Sequence, residues 1–357
     1  MVLNDICEVY SGYALKEFND VGEGLPVIKI GNILTDGTLN LEECQYTTEC
    51  VNEKYYSKNN DVYVALSGAT TGKIGIIKSE DRFIINQRVG IVRKKNNDVP
   101  NEFIKYFLLR QTDRILQEAA GCAQPNISPK QLGQYEIPVY DDSKMQHIVM
   151  VLDNLSKIMH KRNDELSSLD NLIKARFVEL FEDRVFEKKQ LIELIQEGAG
   201  LSYGIVVPGD NVPDGIPMVR PSDYKNGRLN LDNAYRVASD IECKYKKTRL
   251  IGDEILVQVI GQPGQVMLCD ERCKGMNVTR NLAVVRIDKD KAERLFISHY
   301  LTTEEAQCFM FGSTNQSTLK QLPLNKLKEL PVPQVPLNEQ EEFANFIKQV
   351  DKSKVVV

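Results

Sequence analysis

The apolar positions of this chain follow two different periods, and the change of period divides it. Short runs rich in Val and Ile, at 27–30, 62–66, 73–77, 83–85 and 89–93, are separated by Gly, Asn-Asn or charged turns. Runs this short and bounded this way predict β-strands. Apolar residues at three and four spacing over 101–117 then predict a helix. The same succession returns later, with strand-like runs at 218–220, 254–260, 265–268 and 282–287 and a helical stretch at 292–309. Each set predicts a mixed α+β globule.

The segment between them is of another kind. From Ser143 to Glu182 there is neither Pro nor Gly. Ile148, Leu155 and Leu169 share one heptad position, with Arg162 and Arg176 breaking the series; Leu152, Met159, Leu166, Ile173 and Leu180 share its partner. At 1.5 Å per residue this predicts a helix of about 60 Å. One narrow apolar seam on a long polar helix needs a second helix to cover it. The matching pattern begins at Asn338, with Phe343, Phe346, Ile347 and Val350 as its apolar positions, and the chain stops at Val357. That helix is expected to be truncated, either because the gene product is short or because another chain supplies the rest. The expected architecture is α+β: two repeated mixed α/β domains joined by a long helix, which packs with a C-terminal helix as an antiparallel coiled coil. The boundaries are 1–140, 141–185 for the central helix, 186–337 and 338–357.

The two globules are copies of one another. Leu25-Pro26-Val27-Ile28-Lys29 followed by Asp36-Gly37-Thr38-Leu39-Asn40-Leu41 matches Ile216-Pro217-Met218-Val219-Arg220 followed by Asn226-Gly227-Arg228-Leu229-Asn230-Leu231. Asp61 with Asp253, Gly72 with Gly264, Arg88 with Arg280, Phe103 with Phe296, Ile127 with Leu319 and Gln146 with Gln340 continue the series in order, at an offset between 188 and 195. A period this long means a duplicated domain rather than a solenoid. Asp36-Gly37 and Asn226-Gly227 are turn signals, because both dipeptides accept positive φ.

At 357 residues, 42% hydrophobic and 27% charged, the chain has enough material for two cores. No apolar run approaches the ~18 residues of a membrane span, and Met1-Val2-Leu3-Asn4-Asp5 lacks the order of a signal peptide. A soluble cytoplasmic protein without membrane partners is expected. Eight cysteines without a Cys-x-x-Cys, and three histidines, offer no zinc spacing, so no metal site is expected. The net charge of −5 does not decide about nucleic acid. Residues 1–140 carry 15 basic and 18 acidic groups, and 183–337 carry 21 and 20; what matters is where the cations cluster.

Gly68-Ala69-Thr70-Thr71-Gly72-Lys73 is not a phosphate-binding P-loop, which needs four residues between the glycines and Ser or Thr after the lysine. Its glycines are expected to make a tight turn. Neither a methyltransferase signature (Asn-Pro-Pro-Tyr or Asp-Pro-Pro-Tyr) nor a Walker motif nor a nuclease arrangement of the Pro-Asp…Asp/Glu-x-Lys type is present. No catalytic residue is expected in this chain.

The order Gly121…Gln124…Ile127…Leu132…Ile137-Pro138-Val139…Gln146 ahead of a long helix resembles the specificity subunit of type I restriction–modification systems. So do Ile28-Lys29-Ile30-Gly31-Asn32 and Ser67-Gly68-Ala69-Thr70-Thr71-Gly72-Lys73-Ile74-Gly75. The likeness covers essentially the whole chain. It implies a non-catalytic reader of double-stranded DNA, each globule a target recognition domain for half of a split site. The helices would be a ruler that docks modification (methyltransferase) subunits, joined by restriction (translocase and nuclease) subunits. S-adenosylmethionine, ATP and Mg would belong to those partners, with no cofactor in this chain. On that reading the DNA-contacting candidates are Lys29, Ser67, Thr70, Thr71, Lys73, Asn86, Gln87, Arg88, Gln124 and Asn126 in the first copy. In the second they are Arg220, Gln262, Gln265, Asn277, Thr279, Arg280, Asn315 and Gln316. The competing class is a two-domain scaffold for protein ligands. Sequence-selective retention of duplex DNA separates the two.

Overall fold

The computed structural model describes residues 1–96, 98–120, 125–225, 227–312 and 321–356. It divides into two compact units, Met1–Asn163 and Asp164–Val357. Among the described residues no helix is long and apolar enough to cross a membrane.

The first unit is built on a four-stranded antiparallel sheet in the order Cys7–Ser11, Val89–Lys94, Val62–Ala65, Ile74–Ile76. Val62, Tyr63, Val64 and Ala65 are all buried, since both faces of the sheet are covered. The period of two sorts them. Val62 and Val64 join Phe103, Phe107 and Leu108 of helix Asn101–Arg110, and Tyr63 and Ala65 join Phe83 and, from a second sheet, Ile28 and Ile85. That sheet has the order Gln45–Thr47, Leu25–Ile28, Ile84–Ile85, the last pair parallel.

The second unit repeats this topology. Val266–Leu268, Ile255–Gln258, Leu282–Val285 and Ser202–Tyr203 form its four-stranded sheet, and Tyr235–Val237, Ile216–Val219 and Asn277–Val278 the smaller one, again ending in a parallel pair. Even the register agrees: Val62 faces Val92 as Ile255 faces Val285. The duplication read from the sequence is therefore a duplication of fold.

Several elements differ from the sequence expectation. The two-residue and three-residue strands at Ile84–Ile85, Asn277–Val278, Gln45–Thr47 and Tyr235–Val237 are mostly too short to show a period. The stretch 101–117 becomes Asn101–Arg110 and Thr112–Ala119, and 292–309 becomes Arg294–Tyr300 and Glu304–Phe311.

The central helix runs Asp142–Phe177, 36 residues or about 54 Å, and continues as a π turn over Val178–Glu182. Met145 and Val149 belong to the core of the first unit, and Tyr106 Oη donates to Asp153 Oδ1 at 2.6 Å. Ile173, Phe177 and Phe181 belong to the core of the second, packed with Phe343, Ile347 and Val350 of helix Leu337–Val356. Phe181 and Phe177 meet Phe343 at centroid distances of 5.7 and 5.5 Å, and Lys354 Nζ reaches Asp170 Oδ1 at 2.7 Å. Contacts that run down one helix as they run up the other make the pair antiparallel, as the heptads predicted. The pairing takes up only this end of the seam. Leu155, Ile158 and Met159 are 52, 56 and 66% exposed.

Candidate nucleic-acid interface

In each unit a tight turn follows the parallel pair, and its hydrogen bonds define it. Asn86 O accepts from Val89 N–H at 2.9 Å, and Asn86 Oδ1 accepts from Arg88 N–H at 3.3 Å. An Asn at the first position of such a turn holds it by that side-chain bond, and Gln87 and Arg88 are left exposed at its tip. In the second unit Thr279 O accepts from Leu282 N–H at 3.1 Å and Thr279 Oγ1 from Asn281 N–H at 3.3 Å. Arg280 and Asn281 occupy that tip.

A glycine in the preceding segment sets the position of each turn. A Cβ on Gly12 would lie 2.3 Å from Ile85 O, and one on Gly204 would lie 2.0 Å from Val278 O. Only glycine allows the backbones this close. The neighbours then bind: Gln87 N–H to Tyr13 O at 2.8 Å, Arg280 N–H to Ile205 O at 2.9 Å.

Two further segments join the turn. Leu66 N–H donates to Arg88 O at 2.9 Å, tying in the hairpin loop that carries Ser67, Thr70, Thr71 and Lys73. Ile127 N–H donates to Leu66 O at 2.9 Å, and Ser67 bridges Asn126. The second unit has Val259 N–H to Asn281 O and Leu322 N–H to Val259 O, both at 2.8 Å. Lys29 directly follows Ile28, whose carbonyl accepts Asn86 N–H at 3.0 Å; Arg220 follows Val219, whose carbonyl accepts Thr279 N–H at 3.1 Å. An open cleft lined by Arg220, Pro221, Ser222, Thr279 and Asn281 results. The fold thus gathers Lys29, Ser67, Thr70, Lys73, Asn86, Gln87, Arg88 and Asn126 in one unit, and Arg220, Gln262, Gln265, Thr279 and Arg280 in the other. Gln124, Asn315 and Gln316 lie outside the described residues.

These side chains are not equally available. Among the described residues the side chains of Arg88, Arg280 and Lys73 have neither a hydrogen-bond nor an ionic partner. Lys29 is engaged: its Nζ lies 3.3 Å above the Phe18 ring and donates to Gln45, and burial lowers its pKa. Arg220 forms a fork on Asp223, Nη2 to Oδ1 at 2.8 Å and Nε to Oδ2 at 3.2 Å, and that hydrogen bonding raises its pKa. Thr71 is buried and donates from Oγ1 to Gly68 O at 2.7 Å, closing the turn between the two glycines. It is a fastener of the loop rather than a contact.

Asn277 is the clear correction. It is fully buried; its Nδ2 donates to Glu242 Oε1 at 3.0 Å and Tyr245 O at 3.1 Å, and its Oδ1 accepts from Thr248 Oγ1 at 2.7 Å and from Val278 N–H at 2.9 Å. A side chain with every donor and acceptor spent inside the domain has nothing left for a base.

The pairing of the copies also needs a one-residue correction. Arg88 corresponds in hydrogen bonding to Asn281, and Gln87 to Arg280. Likewise Asp61, which binds Arg93, corresponds to Glu254, which binds Arg286, and not to Asp253. The second unit's hairpin is one residue shorter, Gly72 N–H returning to Ala65 O but Gly264 N–H to Gln258 O, so the offset of 192 holds only along the hairpin and its return strand, while the elements on both sides keep 193. Sequence reading missed Asn281 at the turn and exposed Tyr13 beside it, whose ring lies 5.3 Å from that of Tyr55. Gly12 and Gly204 were the signal for this close approach.

The family model for the type I restriction modification DNA specificity domain matches the chain twice, over residues 1–168 and 186–355. The chain belongs to this family. Each match contains one gathered surface. The family recognises DNA for type I restriction–modification systems, in which catalysis is carried by partner subunits. The type I restriction enzyme EcoBI specificity subunit of Escherichia coli is 22% identical over 379 aligned positions, covering 98% of this chain and 78% of that one. A crystal structure of the type I restriction–modification S subunit from M. genitalium is similar at 14% identity and a TM-score of 0.49, over 99% of this chain and 89% of that chain.

Proposed function

We propose that the two units read the two halves of a split duplex DNA site, each through its turn, hairpin loop and strand-end cation. Residues 86–88 and 279–281 supply contacts to base edges. Lys73 and the strand-end cations Lys29 and Arg220 contact phosphate, which sets register without selecting sequence. The central helix fixes the spacer between half-sites and docks the methyltransferase subunits, to which the translocase and nuclease subunits are added. S-adenosylmethionine, ATP and Mg are used by those partners.

The observation that carries this reading is that one backbone framework recurs in both units with different side chains at its tips: Gln87-Arg88 against Arg280-Asn281. Two readers of different sequences require that combination. Mapping methylated adenines in DNA from cells that express this chain with its modification subunit is the test. A two-part motif with a fixed gap is expected. Methylation without sequence preference, or at one uninterrupted motif, would overturn the reading.

A further inference from the structure

A cation cluster on the second unit has no place in the surface just described. The segment Cys243–Thr248 is two short 3-10 turns kinked at Tyr245, and it carries Lys244, Lys246 and Lys247, all exposed. Among the described residues none of the three lysines forms a salt bridge or a side-chain hydrogen bond; Lys246 acts only through its charge on Glu242, whose pKa it helps to lower. Arg249, next along, is already paired to buried Glu242. Asp240, four residues before Lys244, is the exposed acid on the same stretch.

The fold itself does not require this charge. Arg286 Nη1 donates to Lys247 O as Arg93 Nη1 donates to Lys54 O, so the two segments occupy equivalent positions. There the first unit has Val51, Glu53 and Lys54 where the second has Lys244, Lys246 and Lys247. Glu53 is paired with Arg82, and Lys54 Nζ lies 4.8 Å above the Tyr55 ring. Its local charge is balanced and engaged, whereas the second unit holds three exposed cations on the same scaffold.

The cluster is also fixed to the recognition turn. Thr248 Oγ1 donates to Asn277 Oδ1, and Asn277 Nδ2 donates to Tyr245 O and Glu242 Oε1. Asn277 is three residues before Arg280, at most ~11 Å of extended chain. A fully satisfied buried network of this kind holds its parts in one arrangement.

We infer that Lys244, Lys246 and Lys247 form a phosphate-binding clamp of the second unit, which grips the duplex backbone beside the bases that Arg280 meets and has no counterpart in the first. This rests on the DNA-reading proposal. Each phosphate neutralised releases condensed counterions, so the clamp steepens the salt dependence of binding by about 0.9 per contact. Because the contact is to phosphate, it acts equally on matched and mismatched sequences.

The test compares the full chain with a Lys244→Gln/Lys246→Gln/Lys247→Gln variant on a random-sequence 40-base-pair duplex, measuring affinity from low to moderate salt. The slope of log affinity against log salt is expected to fall by about 2 to 3, with the methylation motif unchanged. The reciprocal Glu53→Lys variant, at the position of Lys246, is expected to steepen the slope by about 1 and is independent of how the triple variant folds. If the unaltered chain binds duplex and both variants keep its slope, the lysines are a solvated face and the clamp is overturned. Unaltered chain that retains no duplex at all, alone or with its modification subunit, overturns the DNA-reading proposal as well.

Discussion

Arg286 Nε donates to Glu254 Oε1 at 3.0 Å, with the carboxylate fully out of solvent. The same guanidinium donates to the carbonyls of Lys247 at 2.9 Å and Arg249 at 2.5 Å. Arg93 does likewise in the first unit, to Asp61 Oδ1 at 2.9 Å, Lys54 O at 3.2 Å and Tyr56 O at 2.7 Å. Each arginine pins the segment that precedes the second sheet strand to the strand that follows the turn. Removing one partner of a buried pair leaves the other charge uncompensated, at about 3–5 kcal/mol. Arg93→Ala and Arg286→Ala are each expected to lower the melting temperature, and Arg286→Lys is not expected to rescue, because a lysine cannot reach three acceptors in one plane. A melting curve for Arg286→Lys that overlays the unaltered chain would remove the fork from this role.

Arg88→Ala and Arg280→Ala are each expected to relax one half of the methylation motif and leave the other intact. A bidentate arginine–guanine contact is worth about 1–3 kcal/mol of discrimination, so the loss should concentrate at one base pair. Lys73→Ala is expected to weaken binding to all sequences alike. Loss of both half-sites from one arginine change would point to assembly instead.

Insertion of one heptad within 156–170 is expected to keep both half-site sequences and change the gap between them. Seven residues add about 10.5 Å of helix, near three base-pair steps of B-DNA. Methylation mapping reads the outcome directly, and new half-site bases with an old gap would count against the spacer.

His299 predicts a pH dependence. Its ring lies 4.9 Å from that of Phe177 and 5.4 Å from that of Phe343, and burial, with Lys174 nearby, lowers its pKa from 6.5 to about 4. The unfolded chain therefore binds a proton that the folded chain refuses. Stability is fully present above pH 6.5 and is lost as pH falls towards 4. The drop in melting temperature between pH 7 and pH 5 is expected to be smaller in His299→Leu. Parallel curves for the two proteins would assign the acid sensitivity to other groups.

The sequence was most legible where a period was long or a side chain was bulky. The heptads of 143–182 predicted the helix Asp142–Phe177 nearly to its ends. The central strands Val62–Ala65 and Ile255–Gln258 were visible as apolar runs because both faces of each are buried. The site was harder to see. Asn277 belongs to a two-residue strand, too short to reveal by alternation that its side chain faces inward. Arg88 and Arg280 look like partners because both precede a strand by a residue or two. The offset that aligns Gly72 with Gly264 holds only along the shorter hairpin, the turns sit one residue further apart, and only the hydrogen bonds reveal it.

The bond between hairpin and turn constrains how the two halves can exchange sequence over generations. Leu66 N–H is bound to the carbonyl of Arg88, and Val259 N–H to that of Asn281, so hairpin and turn are inherited as one block. Recombination that cuts outside both Lys29–Ile127 and Arg220–Leu322 hands over an intact reader. A crossover between hairpin and turn separates two segments that are bonded to each other. New specificities should therefore arise by exchange of the whole block.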